Sequence, residues 1–220
     1  MSSPSTTHDS LVLSYLGLRK AIGILGIALP FVLAFGAMLL EGPGIQESIS
    51  YYYYTKMRNI FVGTLCAIAV FLLSYRGYER KDDVAGDMAC AFALGVAFFP
   101  TTPHGNPSST QRLLGGIHLA SAAAFFLTLS YFSSILFTKT DPTRPPTCRK
   151  LQRNRVYRAC GLIMLGAIGL IALHALLPPG ITAALDTLDP VFWLEAVAVI
   201  AFGVSWLTKG EAILKDETTS

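Results

Sequence analysis

"AIGILGIALPFVLAFGAMLL", residues 21–40, runs for twenty residues without an ionisable side chain. At ~1.5 Å per residue a helix of this length spans ~30 Å, the thickness of a bilayer's hydrocarbon core. The rest of the chain agrees with that reading. A soluble domain carries about a quarter charged residues, whereas this chain is 14% charged and 52% hydrophobic, with a mean hydropathy of +0.51. The expected fold class is all-α, a polytopic membrane helix bundle.

Working outward, charges mark the ends of further apolar runs: Arg58 to Arg76, Asp87 to His104, Arg112 to Lys139, Arg158 to Asp186, and Asp189 to Lys209. With the first run they predict a single domain over 1–220 with six transmembrane helices. The spans lie near 18–40, 58–75, 86–102, 113–137, 158–178 and 189–208. The second and third are short, which calls for a thin bilayer, tilt or snorkelling neighbours. Pro30 is expected to kink the first span, as membrane helices tolerate. The segment "MSSPSTTHDS" lacks the basic region of a cleaved signal peptide. The first span is therefore expected to be retained, with "LVLSYLGLRK" as an interfacial lead-in or an early helical extension.

Basic residues set the direction. Arg19 and Lys20 precede span one, while Arg76, Arg80 and Lys81 follow span two. "TKTDPTRPPTCRKLQRNRVYR" carries seven basic residues against one acid, and Lys209 and Lys215 follow span six. The alternate connections hold Lys56 and Arg58, then Arg112, then no base at all. The positive-inside rule puts both termini in the cytoplasm of a bacterial cell, with the chain multi-pass in the inner membrane. Cys66 and Cys90 fall within spans and Cys148 and Cys160 on or near the cytoplasmic side, so no structural disulfide is expected. A net charge of +3 without basic–aromatic interleaving argues against nucleic acid.

Orientation gives depth. His118 and Glu195 each fall ~9 Å below the outer surface, His174 lies a few residues from it, and His104 belongs to the outer loop "TTPHGNPSST". Asp87 opens span three at the other end and reads as a helix-terminal residue. An ionisable group facing lipid costs at least a few kcal/mol, so His118, His174 and Glu195 should face the interior and one another. Structurally, Glu195 would pair with a histidine or with Arg58 and lock the helices. Functionally, the three form the polar floor of a cavity.

Above them lies "QESISYYYYTKMRN", residues 46–59. Tyr51, Tyr52, Tyr53 and Tyr54 are ordinary interfacial anchors. Four adjacent side chains also spread around any helix or strand, so some are expected to point over the cavity mouth, with Arg58 at its rim.

Several chemistries compete. Zinc would take His104, His118, His174 or Glu195 and leave a position for water, as in membrane hydrolases of the alkaline ceramidase and adiponectin-receptor type. Their close histidine pair on a late helix is missing, since no HxxxH or HExxH occurs. A b-type haem between His118 and His174 is allowed by depth. A retinal lysine is a poor reading of Lys209, because a cytoplasmic helix end ordinarily carries lysine. His118 and Ser121 share a helix face, but GxSxG is absent. A small transporter or channel, which six spans allow as a homo-oligomer, would use Glu195 as a proton or cation site. The paired Gly/Pro interruptions of inverted-repeat carriers are lacking, and "LGAIGL" and "FGVSW" suit close helix packing.

The run "SISYYYYTKMRNIFVGTLCAIAVFLLSYRGYERKDD", the later "IHLASAAAFF" and the ending "FWLEAVAVIAFGVSWLTKGE" resemble a widespread group of bacterial six-span integral membrane proteins. More distantly the layout is similar to DRAM-like membrane proteins, which share a polar first outer loop and an early Phe-x-x-Gly-like element, here Phe61 to Gly63. The tetra-tyrosine departs from the Asp- and Gly-rich loop of that group. The resemblance implies a fold and no particular reaction. The leading expectation is binding, sensing or transfer of a lipid or other amphipathic ligand at an outer-leaflet polar cavity. Its residues would be Tyr51 to Tyr54, Arg58, His118, Ser121, His174 and Glu195, and its partners membrane lipids. The alternatives are the carrier and a metal-dependent membrane hydrolase.

Overall fold

The computed structural model of the chain describes residues 4–77, 79–140, 143 and 145–215, with side chains described from residue 15 onward. Asp141 and Arg144 of the basic linker lie outside the described residues. Helices α1 (Pro4–Glu41), α2 (Arg58–Leu73), α3 (Arg80–Phe98), α4 (Ser109–Tyr131), α5 (Cys148–Ala175), α6 (Pro179–Asp186) and α7 (Pro190–Lys209) follow in order. A 3₁₀ segment, Ser50–Tyr54, precedes α2, and α4 continues as a π-helical turn, Phe132–Leu136. There is no strand among the described residues.

Four stretches are long and apolar enough to cross a membrane: Tyr15–Glu41, Ser109–Leu136, Cys148–Ala175 and Pro190–Lys209. Helix α2 is apolar but has only 16 residues. Helix α3 occupies the place of the third expected span, but its first turns hold Arg80, Lys81, Asp82, Asp83 and Asp87.

Helix boundaries differ from the apolar runs because caps, and not hydropathy, start these helices. Glu79 and Asp82 form a reciprocal capping box that begins α3 ahead of its apolar stretch. Ser108 and Gln111 do the same for α4. The Thr147 side chain accepts from the Lys150 N–H and starts α5 ten residues before Arg158. Asp87 consequently lies inside α3, where it faces Arg76 at 3.5 Å, and is not the terminal residue its position suggested. The segment before the first span is an early helical extension, since α1 runs unbroken from Pro4 through Pro30.

Each long helix packs on its neighbours in sequence, and α7 closes the circuit by packing on α1 and α5. The result is a six-helix ring. Glycines allow its closure: a Cβ on Gly203 would stand 2.6 Å from the Gly23 carbonyl oxygen and 2.9 Å from the Ile27 nitrogen. Here "FGVSW" behaves as expected. "LGAIGL" does not, because Gly166 and Gly169 meet nothing within 4 Å and face outward.

The basic end of the ring is filled by aromatic rings. Trp206, 1% exposed, lies 5.2 Å from Phe137, 5.3 Å from Tyr75 and 5.8 Å from Phe132, centroid to centroid. Nearby hydroxyls are satisfied. Ser133 Oγ lies 2.8 Å from the Tyr157 carbonyl and 2.7 Å from Ser205 Oγ, and Ser130 Oγ donates to the Gly161 carbonyl at 2.9 Å. The four cysteines are free.

Candidate functional site

The opposite end of the ring is hollow. A cavity of about 530 Å³ lies beneath the loop before the tyrosines, the α3–α4 loop and the α6–α7 corner. His118, His174 and Glu195, drawn from α4, α5 and α7, all line it.

Glu195 stands in the second turn of α7 and reaches across to the 3₁₀ segment. Its Oε2 accepts the N–H of Ile49 at 2.6 Å and that of Ser50 at 3.3 Å, while Ser50 Oγ donates to Oε1 at 3.4 Å. The first N–H groups of a helical turn have no partner of their own and favour negative charge. The Glu47 carbonyl in turn accepts the Phe192 N–H at 2.9 Å, satisfying the start of α7. Loop and helix therefore cap each other. Glu195 does lock two elements, but through backbone donors and not through a histidine or Arg58.

His118 is 4% exposed, with Nδ1 2.7 Å from the carbonyl oxygen of Phe99, the residue that ends α3. Donation from Nδ1–H assigns the tautomer and leaves Nε2 as an acceptor. His174, at the end of α5, brings Nε2 to 3.1 Å from Asp186 Oδ1 at the end of α6. Glu47 and Asp189 join the same lining. Asp189 turns the chain into α7 with φ 47, in the left-handed region.

The cavity thus has four carboxylates in its lining, Glu47, Asp186, Asp189 and Glu195, and no lysine or arginine among the described residues. Burial pushes the Glu47 carboxyl above its ordinary range; His104 pulls it down, and Asp186 and Asp189 push it further up. Ser48, Ser50, Thr101 and Thr102 add hydroxyls, while Leu119, Ala122, Ile171 and Val191 make an apolar wall. A Cβ on Gly115 would stand 2.8 Å from the Thr102 nitrogen, so this glycine lets the α3–α4 loop lie against α4.

The tyrosines do not enter the cavity lining. With three residues per turn, Tyr51 and Tyr54 stack on one side of the 3₁₀ segment, centroids 5.2 Å apart. Tyr51 lies against the His104 ring, and Tyr54 donates to the Thr101 carbonyl at 2.6 Å. Tyr52 is buried against Phe192 and accepts the Gln46 N–H at 3.3 Å. Arg58 covers the Tyr53 ring at 4.1 Å and donates to its hydroxyl. These rings brace the loops over the hollow. Ser121 is displaced as well: it packs on Gly95 where α3 meets α4.

The zinc set does not assemble. His104 Nε2 lies 3.2 Å from Glu47 Oε2, His118 is held by Phe99, and His174 faces Asp186. Among the described residues no three His, Cys, Asp or Glu side chains converge for a metal ion. The Nε2 that a haem would take from His174 is buried 3.1 Å from Asp186 Oδ1, without the geometry of a hydrogen bond.

Sequence reasoning missed Glu47, Asp186 and Asp189. The signal for Asp186 and Asp189 was the complete lack of basic residues between spans five and six, which served only to orient the chain; Glu47 lies in a connection that also holds Lys56 and Arg58 and carried no such signal. Comparisons with protein-family models, curated proteins and solved structures find no match to this chain.

Proposed function

We propose that this chain is a six-span protein of the bacterial inner membrane, both termini cytoplasmic. It binds, without covalent chemistry, an amphipathic ligand with a cationic head in the cavity beneath its outer face. The observation that carries the reading is the meeting of His118, His174 and Glu195, from separate helices, in one hollow. Four carboxylates favour a positive head group, and the Leu119, Ala122, Ile171 and Val191 wall suits an alkyl tail. Basic residues gathered at the far end of the ring support the orientation.

A binder is favoured over a channel or carrier. The layer of Trp206, Phe132, Phe137 and Tyr75 fills the ring beyond the cavity, which argues against a pore running through the bundle. Glu195 is held by two backbone N–H groups and one hydroxyl, a structural engagement that a shuttling proton or cation would have to break.

Isothermal titration of the protein in a neutral maltoside detergent tests the reading, with dodecyltrimethylammonium and dodecyl sulfate as probes. The cationic probe should bind about tenfold tighter, the scale of one favourable charge contact. Asp186→Asn together with Asp189→Asn should erase the difference; asparagine tolerates the left-handed backbone at 189. Equal affinity for both probes in the parent protein defeats the proposal.

A further inference from the structure

At the end of the bundle remote from the acidic cavity, a groove of about 680 Å³ lies between α3 and α4. Arg80, Lys81, Val84, Met88, Leu127 and Tyr131 line it. Its chemistry changes along its length. Arg80, Val84 and Met88 follow at intervals of four, so one stripe of α3 passes from charge to apolar within ~12 Å.

The groove is on the outside of the ring. Val84 and Met88 are each 46% exposed, Leu127 54% and Tyr131 40%, while Ala85 and Ala89 beside them are buried. The acids of the same turns are already engaged. Glu79 and Asp82 hold Lys139 at 3.3 and 3.0 Å, Asp83 accepts the Gly77 N–H at 3.1 Å, and Asp87 faces Arg76 at 3.5 Å. The Thr128 hydroxyl is occupied within α4 by the Ala124 carbonyl at 2.8 Å. Polar recognition is left to the two cations and the Tyr131 phenol.

We propose that this groove binds an anionic phospholipid, with its phosphate on Arg80 and Lys81 and one acyl chain along Val84, Met88 and Leu127. Charge selects the occupant. Two basic side chains beside an apolar trough attract a net-negative head group, whereas a zwitterionic lipid gains little. The volume falls within the range of ordinary ligand sites. The site is independent of the acidic cavity: it takes the opposite charge at the opposite end.

Native mass spectrometry of the delipidated full chain tests it, with phosphatidylglycerol and phosphatidylcholine titrated separately. Phosphatidylglycerol should bind about tenfold tighter than phosphatidylcholine. Arg80→Gln with Lys81→Gln should remove that preference and leave phosphatidylcholine binding unchanged. Val84→Trp should weaken both lipids by filling the trough. Arg112→Gln, at the other end, should alter neither. Dodecyltrimethylammonium binding retained in every variant shows each to be folded, and its absence in all of them would fault the cavity and not the groove. Equal affinities for the two lipids in the parent protein overturn the proposal. So does a preference that survives the double substitution, or a persistent dimer that shuts the groove to lipid.

Discussion

At the basic end of the ring, Trp206, Phe137, Phe132 and Tyr75 meet with centroids 5.2–6.4 Å apart. At the other end the same helices leave about 530 Å³ unfilled and turn carboxylates toward it. Residue size along α7 decides much of the difference. Its later turns carry Phe202 and Trp206, whereas in its earlier turns Phe192 packs on Tyr52 away from the lining, Ala196 and Ala198 are small, and Glu195 reaches across the gap. Neighbouring helices match it: the π-helical turn after α4 brings Phe132 and Ser133 inward at the filled end, while Leu119 and Ala122 leave room at the other. A filled end and a hollow end would suit the proposed binding.

The largest effect is expected where that filling is removed. Trp206→Ala takes away the centre of the aromatic layer and should cost about 3–5 kcal/mol, read as a lowered thermal midpoint in detergent. Titration below that midpoint should show the cationic probe still bound, because the hollow does not depend on the ring. A cavity lost along with the plug would erase the contrast between the two ends.

Glu195→Gln comes next. The amide keeps an acceptor but surrenders the charge, weakening the bonds to Ile49 and Ser50 by about 1–2 kcal/mol. Hydrogen exchange at those two amides should quicken about tenfold, with exchange near Trp206 unchanged. A uniform quickening would mean that the two ends are not separable.

A smaller effect is a pH dependence at Glu47. Its carboxyl titrates above the ordinary range because burial and neighbouring acids disfavour the charge. As pH falls through that raised value, Glu47 takes up a proton and its folded-state cost is relieved. That group therefore favours folding toward acid, while affinity for a cationic probe declines over the same interval. Glu47→Gln should flatten the affinity profile there.

The smallest expected change is at the tyrosine rim. Arg58→Gln removes an exposed cation–π contact worth about 0.5–1 kcal/mol, visible as a slight loss of thermal stability with probe affinity unaltered. A clear loss of affinity would restore Arg58 to the binding surface.

Much of this was readable from residue order. Ala21–Leu40 is long and apolar enough to cross a membrane, and the sequence positions of His118, His174 and Glu195 put at one level three residues that line one hollow. Hydropathy could not locate the helix starts, because Glu79, Ser108 and Thr147 set them through hydrogen bonds that leave no apolar signature. Nor could it assign the tyrosines. Four adjacent rings point in directions fixed by a three-residue turn, and that turn exists because Glu195, 145 residues away from Ser50, caps it. Glu47 and Asp189, in loops, and Asp186, at the end of the short helix α6, are illegible for a similar reason, since these acids gain depth only once their segments fold over the hollow.

The proposed binding needs a negatively charged hollow that opens to the outer face. A cysteine at Ile171, in a background with Cys66, Cys90, Cys148 and Cys160 replaced by serine, tests it directly in right-side-out membrane vesicles. A cationic, membrane-impermeant thiol reagent added outside should label it about tenfold faster than an anionic one of equal size, and dodecyltrimethylammonium should protect it. Labelling only from the inner side, or equal rates for the two reagents, would contradict the account.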